Sequence, residues 1–170
     1  MKHYRKEEVD ALPIEDVLEK TDAAAYDAAC EGIVLLKNDG SCPLAKQTKL
    51  AILGSGSKQM LECGSGSAGI DTSRHGDVKA EFARYFELVD TADAEYVVVI
   101  AVISGMEGND RENLFLARED LDILAKLKKQ NKNVILVLNT SPFTRYTFSP
   151  LITNISDASV NISFSSSVRE

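Results

Sequence analysis

Ser104-Gly105-Met106-Glu107-Gly108-Asn109-Asp110-Arg111 gathers two carboxylates, an arginine and two glycines into one short segment. A carboxylate such as Glu107 can hand a proton to a reacting group or take one from it. Asp110 and Arg111 carry opposite charges side by side and can pair to hold the segment in shape. Gly105 and Gly108 leave the backbone on either side of Glu107 free to adjust. Chemistry of this kind needs an anchored base, and the preceding residues provide one. Glu95-Tyr96-Val97-Val98-Val99-Ile100-Ala101-Val102-Ile103 contains an unbroken Val- and Ile-rich run, the pattern of a strand buried on both faces of a sheet. Open α/β sheets bind ligands just outside the carboxyl ends of such strands. Glu107, Asp110 and Arg111 are therefore the candidate functional residues, and pattern alone assigns them no substrate.

The elements around this strand predict an α/β fold. Residues 118–130 form the clearest helix, with a Leu121, Leu124, Leu127 stripe, acids at its start (Glu119, Asp120) and lysines at its end (Lys126, Lys128, Lys129). That charge distribution complements the helix dipole. Asn131-Lys132-Asn133 breaks the helix, and Val134-Ile135-Leu136-Val137-Leu138 reads as a second buried strand. Strand, loop, helix and strand at this spacing make a βαβ unit with parallel strands. Lys49-Leu50-Ala51-Ile52-Leu53 is a further short strand and empties into Gly54-Ser55-Gly56-Ser57; a second glycine-serine loop, Gly64-Ser65-Gly66-Ser67, follows. A dinucleotide fingerprint needs a third glycine at position 59, where this chain has Gln59, and no Gly-Lys-Ser/Thr phosphate loop is present. These facts argue against a nucleotide-binding domain.

The remaining segments are less distinctive. Residues 1–13 read as a charged lead-in. Pro13 suits the first turn of a short helix, after which Thr21 is placed to cap a second, alanine-rich one. Its many small residues suit either close packing or plain helix propensity. Residues 31–40 are an apolar run closed by an Asn-Asp-Gly turn. Residues 77–86 predict a short amphipathic helix with Val78, Phe82 and Tyr85 on one face, residues 86–89 a strand, and residues 91–94 a turn. From Phe143 onward ten of 28 residues are Ser or Thr, which leaves little apolar area to bury, although 160–164 has the composition of a short strand.

Length and composition narrow the class. The 170 residues suffice for one domain with a real core, and 44% hydrophobic with 26% charged residues is ordinary for a globular protein. A net charge of −7 argues against a nucleic-acid partner. No apolar run approaches the length of a membrane span, and the charged start shows no signal peptide, so a cytoplasmic location without membrane contact is expected. Three cysteines (Cys30, Cys42, Cys63) fit neither a metal spacing nor an even disulfide set and read as reduced thiols. His75 has no second ligand at a metal spacing and reads as a solvated loop residue, so neither a metal nor a cofactor is implied. The Asn-x-Ser/Thr triplets at Asn139, Asn154 and Asn161 read as chance matches.

Glu31-Gly32-Ile33-Val34-Leu35-Leu36-Lys37-Asn38-Asp39-Gly40 followed by Pro43-Leu44 resembles the opening of the second domain of glycoside hydrolase family 3, the β-glucosidase-type enzymes. The later features come in the same order: a strand entering Gly64-Ser65-Gly66-Ser67, then Ser-Gly-x-Glu-Gly-x-Asp-Arg at 104–111, then a leucine-containing helix start at 114–124. The resemblance covers about residues 22–142, leaving 1–21 as a lead-in and 143–170 as a Ser/Thr-rich tail. It implies a three-layer α/β sandwich with a mainly parallel sheet flanked by helices. It also implies a partner barrel domain, absent from these residues, that supplies an aspartate nucleophile and most of the sugar pocket. By the same resemblance Glu107 falls on the acid/base position. Gly64, Ser65, Gly66 and Ser67, with Asp110 and Arg111, fall on substrate-binding or loop-positioning stretches. The implied substrate is a β-linked oligosaccharide or glucoside, reached through the barrel.

Three departures from the family pattern accompany this. No barrel is present, the segment between Gly66 and Asp93 is short, and the Ser/Thr-rich tail stands where another strand and a glycine-rich loop are expected. A family member with the sandwich first and the barrel after it, cut short, fits these features. The rival is a non-catalytic carbohydrate-binding or interaction module of the same fold.

Overall fold

The computed structural model describes residues 13–58, 60, 76–103, 115–140 and 159–165. The chain divides into two compact units, Met1–Ile33 and Val34–Glu170. The first holds helix α1 (Ile14–Gly32). The sequence predicts a break near Thr21, but the helix runs straight through, and the Thr21 hydroxyl donates backward to the Val17 carbonyl at 2.7 Å. Lys20-Thr21-Asp22 contains no glycine or proline. A helix already nucleated beside Pro13 (φ −60) therefore gains by adding each further hydrogen bond. None of its residues is buried, so among the described residues the alanines act through helix propensity and not through close packing.

The sheet of the second unit is built from β1 (Ile33–Lys37), β2 (Lys49–Leu53), β3 (Glu87–Leu88), β4 (Tyr96–Ile103), β5 (Asn133–Thr140) and β6 (Ser159–Ser165). Their order across the sheet is β1-β6-β5-β4-β2-β3. The pairs β2 with β3, β2 with β4, β4 with β5 and β5 with β6 are all parallel. β4 and β5 run together from Tyr96 opposite Asn133 to Ile103 opposite Thr140, the parallel βαβ pair expected from the sequence. β6 lies at the strand signal of the Ser/Thr-rich tail and pairs with β5 from Ser159 opposite Val134 to Ser165 opposite Thr140. That stretch of the tail is thus part of the sheet. β1, at the sheet edge, is exposed along its whole length in spite of its apolar composition.

Alternation along the central strands sorts their side chains onto two faces. Val97, Val99, Ala101 and Ile103 of β4 join Val134, Leu136 and Leu138 of β5 in one cluster, completed by Leu124 and Leu127 of α3 (Arg118–Lys129). Val98, Ile100, Ile135 and Val137 face the other way, where Val78 and Phe82 of α2 (Val78–Ala83) and the nearby Phe86 pack on them. Helix, sheet and helix make three layers. Each buried Val, Leu or Ile side chain among these contributes about 1.5–3 kcal/mol, so the central strands carry much of the domain's stability. Tyr85 departs from its expected place on the α2 stripe and is 51% exposed. The helix ends at Ala83, and Phe86 takes the inward position instead, its ring 6.3 Å from that of Phe82. The Arg84 guanidinium stacks on the outward Tyr85 ring, 5.9 Å from its centre. At the end of α3, Asn131 takes a left-handed conformation (φ +52) while the Lys132 N–H donates to the Leu127 carbonyl. This termination explains why the helix stops at the predicted asparagine.

Asn38 organises the turn after β1. Its Oδ1 accepts from the Gly40 and Cys42 N–H groups and its Nδ2 donates to the Cys42 carbonyl at 2.8 Å. Burial, and secondarily the nearby Asp39 charge, raise the Cys42 thiol above the ordinary cysteine value. The charged thiolate is disfavoured in the folded chain. The stabilising effect of the neutral thiol is therefore complete below the unfolded-state value and is lost as pH rises through the folded one. Alkylation of Cys42 by iodoacetamide, followed by mass spectrometry, is expected to keep accelerating with pH after the same cysteine in the urea-unfolded chain has levelled off. Coincident profiles would contradict this assignment.

Candidate active site

The direction in which the chain leaves β2 reverses once. From β2 it passes by α2 to β3 on one side, and then returns to place β4 on the other side of β2. The connections after β2 and after β4 lead to α2 and α3, which pack on opposite faces. The carboxyl ends of β2 and β4 therefore flank a topological switch point, the crevice where open parallel sheets hold ligands. Both segments singled out by the sequence leave from here. Residues 104–114 follow Ile103 at the end of β4, and residues 61–75 belong to the connection that follows Leu53 at the end of β2. Glu107, Asp110 and Arg111, and Gly64, Ser65, Gly66 and Ser67, themselves lie outside the described residues.

What the structure does define is the floor of this crevice. β2 ends at Leu53, and Gly54 turns the chain with φ +98. A Cβ at Gly54 would run into the Ile100 backbone carbonyl, so only glycine fits there. The Gly56 N–H then donates to the Ile100 carbonyl at 2.9 Å. A Cβ on Gly56 would come within 2.5 Å of the Ile100 Cγ2. Between these glycines, Ser55 donates twice to Asp120: its N–H to Oδ1 at 2.8 Å and its hydroxyl to Oδ2 at 2.7 Å. The Ser55 Oγ also accepts the Val102 N–H at 3.0 Å. Past the end of β2 the loop thus continues to satisfy the open edge of β4.

Asp120 has no exposed surface. From sequence it reads only as an acid complementing the start of α3, and Ser55 only as part of a glycine-serine loop; their partnership was missed. A signal for it was present. Asp120, Leu124 and Leu127 stand at helical i, i+4, i+7 spacing and are the buried residues of α3, so a carboxylate occupied the apolar stripe.

A separate cavity of about 620 Å³ opens between the last turns of α3 and the turn before β4, lined by Leu53, Ala92, Ile123, Lys126, Gln130 and Lys132. Ala92 and Lys132 precede the amino ends of β4 and β5, so it lies toward the edge opposite the Glu107 connection. Among the described residues no helix is long and apolar enough to cross a membrane.

Residues 33–163 match the model of the glycosyl hydrolase family 3 C-terminal domain. The chain belongs to that family. An exo-alpha-(1->6)-L-arabinopyranosidase from Bifidobacterium breve is 29% identical over 154 residues, covering 69% of this chain and 20% of that protein. The fold of this family 3 domain is also that of solved enzymes. β-Glucosidase 3B from Thermotoga neapolitana, in complex with α-D-glucose, superposes with a TM-score of 0.70 at 17% identity, covering 85% of this chain and 27% of that one. A β-glucosidase from Listeria innocua in complex with isofagomine gives 0.68 at 17% identity, covering 86% and 23%. The chain thus spans about a fifth to a quarter of the length of these relatives. Its place in the family makes it a domain of the glycoside hydrolase type.

Proposed function

We propose that this domain serves a retaining glycosidase by lending the 104–114 loop, with Glu107 as general acid/base, to a barrel domain that carries the nucleophile. The observation that supports this best is the switch point: the Glu107 and Gly64–Ser67 connections leave from neighbouring parallel strands beside one crevice. Membership of the glycoside hydrolase family supplies the reaction type. Retaining hydrolysis uses two carboxyl groups about 5–5.5 Å apart, one as nucleophile and one that protonates the leaving oxygen and then activates water. Glu107 takes the second role. An acid of this kind must keep its proton near neutral pH, and enclosure between two domains provides the desolvation for that. Gly64, Ser65, Gly66 and Ser67, with Asp110 and Arg111, serve in this reading to bind substrate or to position the loops. The substrate is a glycoside, and the relatives direct the choice of probes to β-glucosides and α-L-arabinopyranosides.

The test follows from the division of labour. The 170-residue chain by itself is expected to show no turnover of nitrophenyl β-glucoside or nitrophenyl α-L-arabinopyranoside. Joined to a family 3 barrel, it is expected to turn over at least one of them in a manner that depends on Glu107. Hydrolysis by the isolated chain, abolished by Glu107→Gln, would overturn the need for a barrel. A joined enzyme indifferent to Glu107 would favour the non-catalytic module.

A further inference from the structure

We infer that Ser55 and Asp120 are positioning residues for the loop to which the reaction was assigned above, a conclusion that rests on that reading of Glu107 for its catalytic meaning. The 104–114 segment follows the end of β4 directly and is separated from the start of α3 by residues 115–117. One side chain grips both flanks. The Ser55 oxygen accepts the Val102 N–H, one residue before β4 ends, and the Ser55 hydroxyl and N–H both donate to Asp120 in the first turn of α3. Ser55 is held in turn by its glycine neighbours, since Gly54 and Gly56 lie against Ile100 too closely for any side chain. The two flanks of the loop are thereby tied to each other and to the end of β2.

The residue choice is hard to explain by stability alone. Position 120 continues the buried stripe of Leu124 and Leu127, where an aliphatic side chain would pack at no desolvation cost. Among the described residues, this fully buried carboxyl instead takes two hydrogen bonds from one exposed serine. Ser55 in turn supplies the acceptor that Val102 needs once β2, whose last partner on β4 is Val99, has ended. The arrangement fixes the distance between the two roots of the loop, and a fixed span is what a proton donor needs to meet a glycosidic oxygen in one geometry.

The experiment is amide NMR on the 170-residue chain. Ser55→Ala is expected to raise Val102 amide exchange by on the order of tenfold to a hundredfold while the amides of 134–138 keep their protection. It is also expected to move the amide resonances of 104–108. Ser55→Thr, which keeps the hydroxyl at a site open to solvent, is expected to restore both. Asp120→Asn, which keeps one acceptor oxygen, is expected to give the same loop shifts at smaller size. Should that variant not fold, Ser55→Ala decides the matter, because Ser55 lies at the surface. Unmoved 104–108 resonances, or Val102 exchange that rises only in step with 134–138, would show a purely structural pair and overturn the inference. This readout does not depend on what Glu107 does, so a failed acid/base assignment and a failed clamp give different results.

Discussion

Glu107→Ala, made in the domain joined to a family 3 barrel, is expected to slow the hydrolysis of alkyl glycosides by about 10²–10⁴, the usual contribution of a positioned acid/base. An alkoxide is a poor leaving group and, under the proposed role, depends on a proton from Glu107. Nitrophenolate leaves without help, so glycosylation by the activated aryl substrate is expected to change far less. The second half of the reaction is then expected to become the bottleneck, because in the proposed mechanism the same carboxylate activates water. Azide needs no such activation, and adding it is expected to accelerate turnover of the aryl substrate and to yield the glycosyl azide. Steady-state rates on the two leaving groups, with and without azide, check this. Equal, small losses on both substrates with no azide effect would reduce Glu107 to an ordinary loop carboxylate.

Gly54→Ala is expected to destabilise the domain by about 3 kcal/mol or more, lowering the melting temperature by roughly 6–12 °C. Two costs combine. The residue sits at φ +98, which a side chain rarely tolerates, and the added Cβ would press on the Ile100 carbonyl in the middle of a buried central strand. Ile100 cannot step aside, because it is backbone-paired and 1% exposed. Gly40 is the internal control: it too has positive φ (+99), but a Cβ there would meet no atom within 4 Å. Gly40→Ala is therefore expected to cost only the conformational strain. Scanning calorimetry of both variants separates strain from collision, and equal shifts would show that close approach contributes nothing.

Much of this protein was legible in its residues. The runs in β4 and β5 are continuous because a parallel strand covered by helices on both faces has no solvent side to mark with polar residues. The α3 pattern, its charge gradient and its asparagine stop are equally local, and so are the connections that carry the proposed functional residues. Local too was the Glu-Gly-x-Asp-Arg pattern on which the family resemblance rests. The break expected at Thr21 failed for the opposite reason: a capping side chain is an invitation to start a helix, and it has no effect inside one that has already begun. Tyr85 and Phe86 could not be ranked from spacing, since which of them turns inward depends on the residue at which α2 ends.

Tertiary structure alone decided three things. It set β4 beside β2 and β3 beyond, and so created the switch point. It laid the Gly54–Ser57 turn across the open edge of β4, where the absence of two Cβ atoms permits contact. And it brought Ser55 and Asp120, 65 positions apart in the chain, within 2.7 Å of each other. A hydrogen bond between distant residues leaves no periodicity to read; its one trace was a carboxylate standing where the stripe of α3 called for a leucine, because burial makes such a group costly unless the fold brings it a partner.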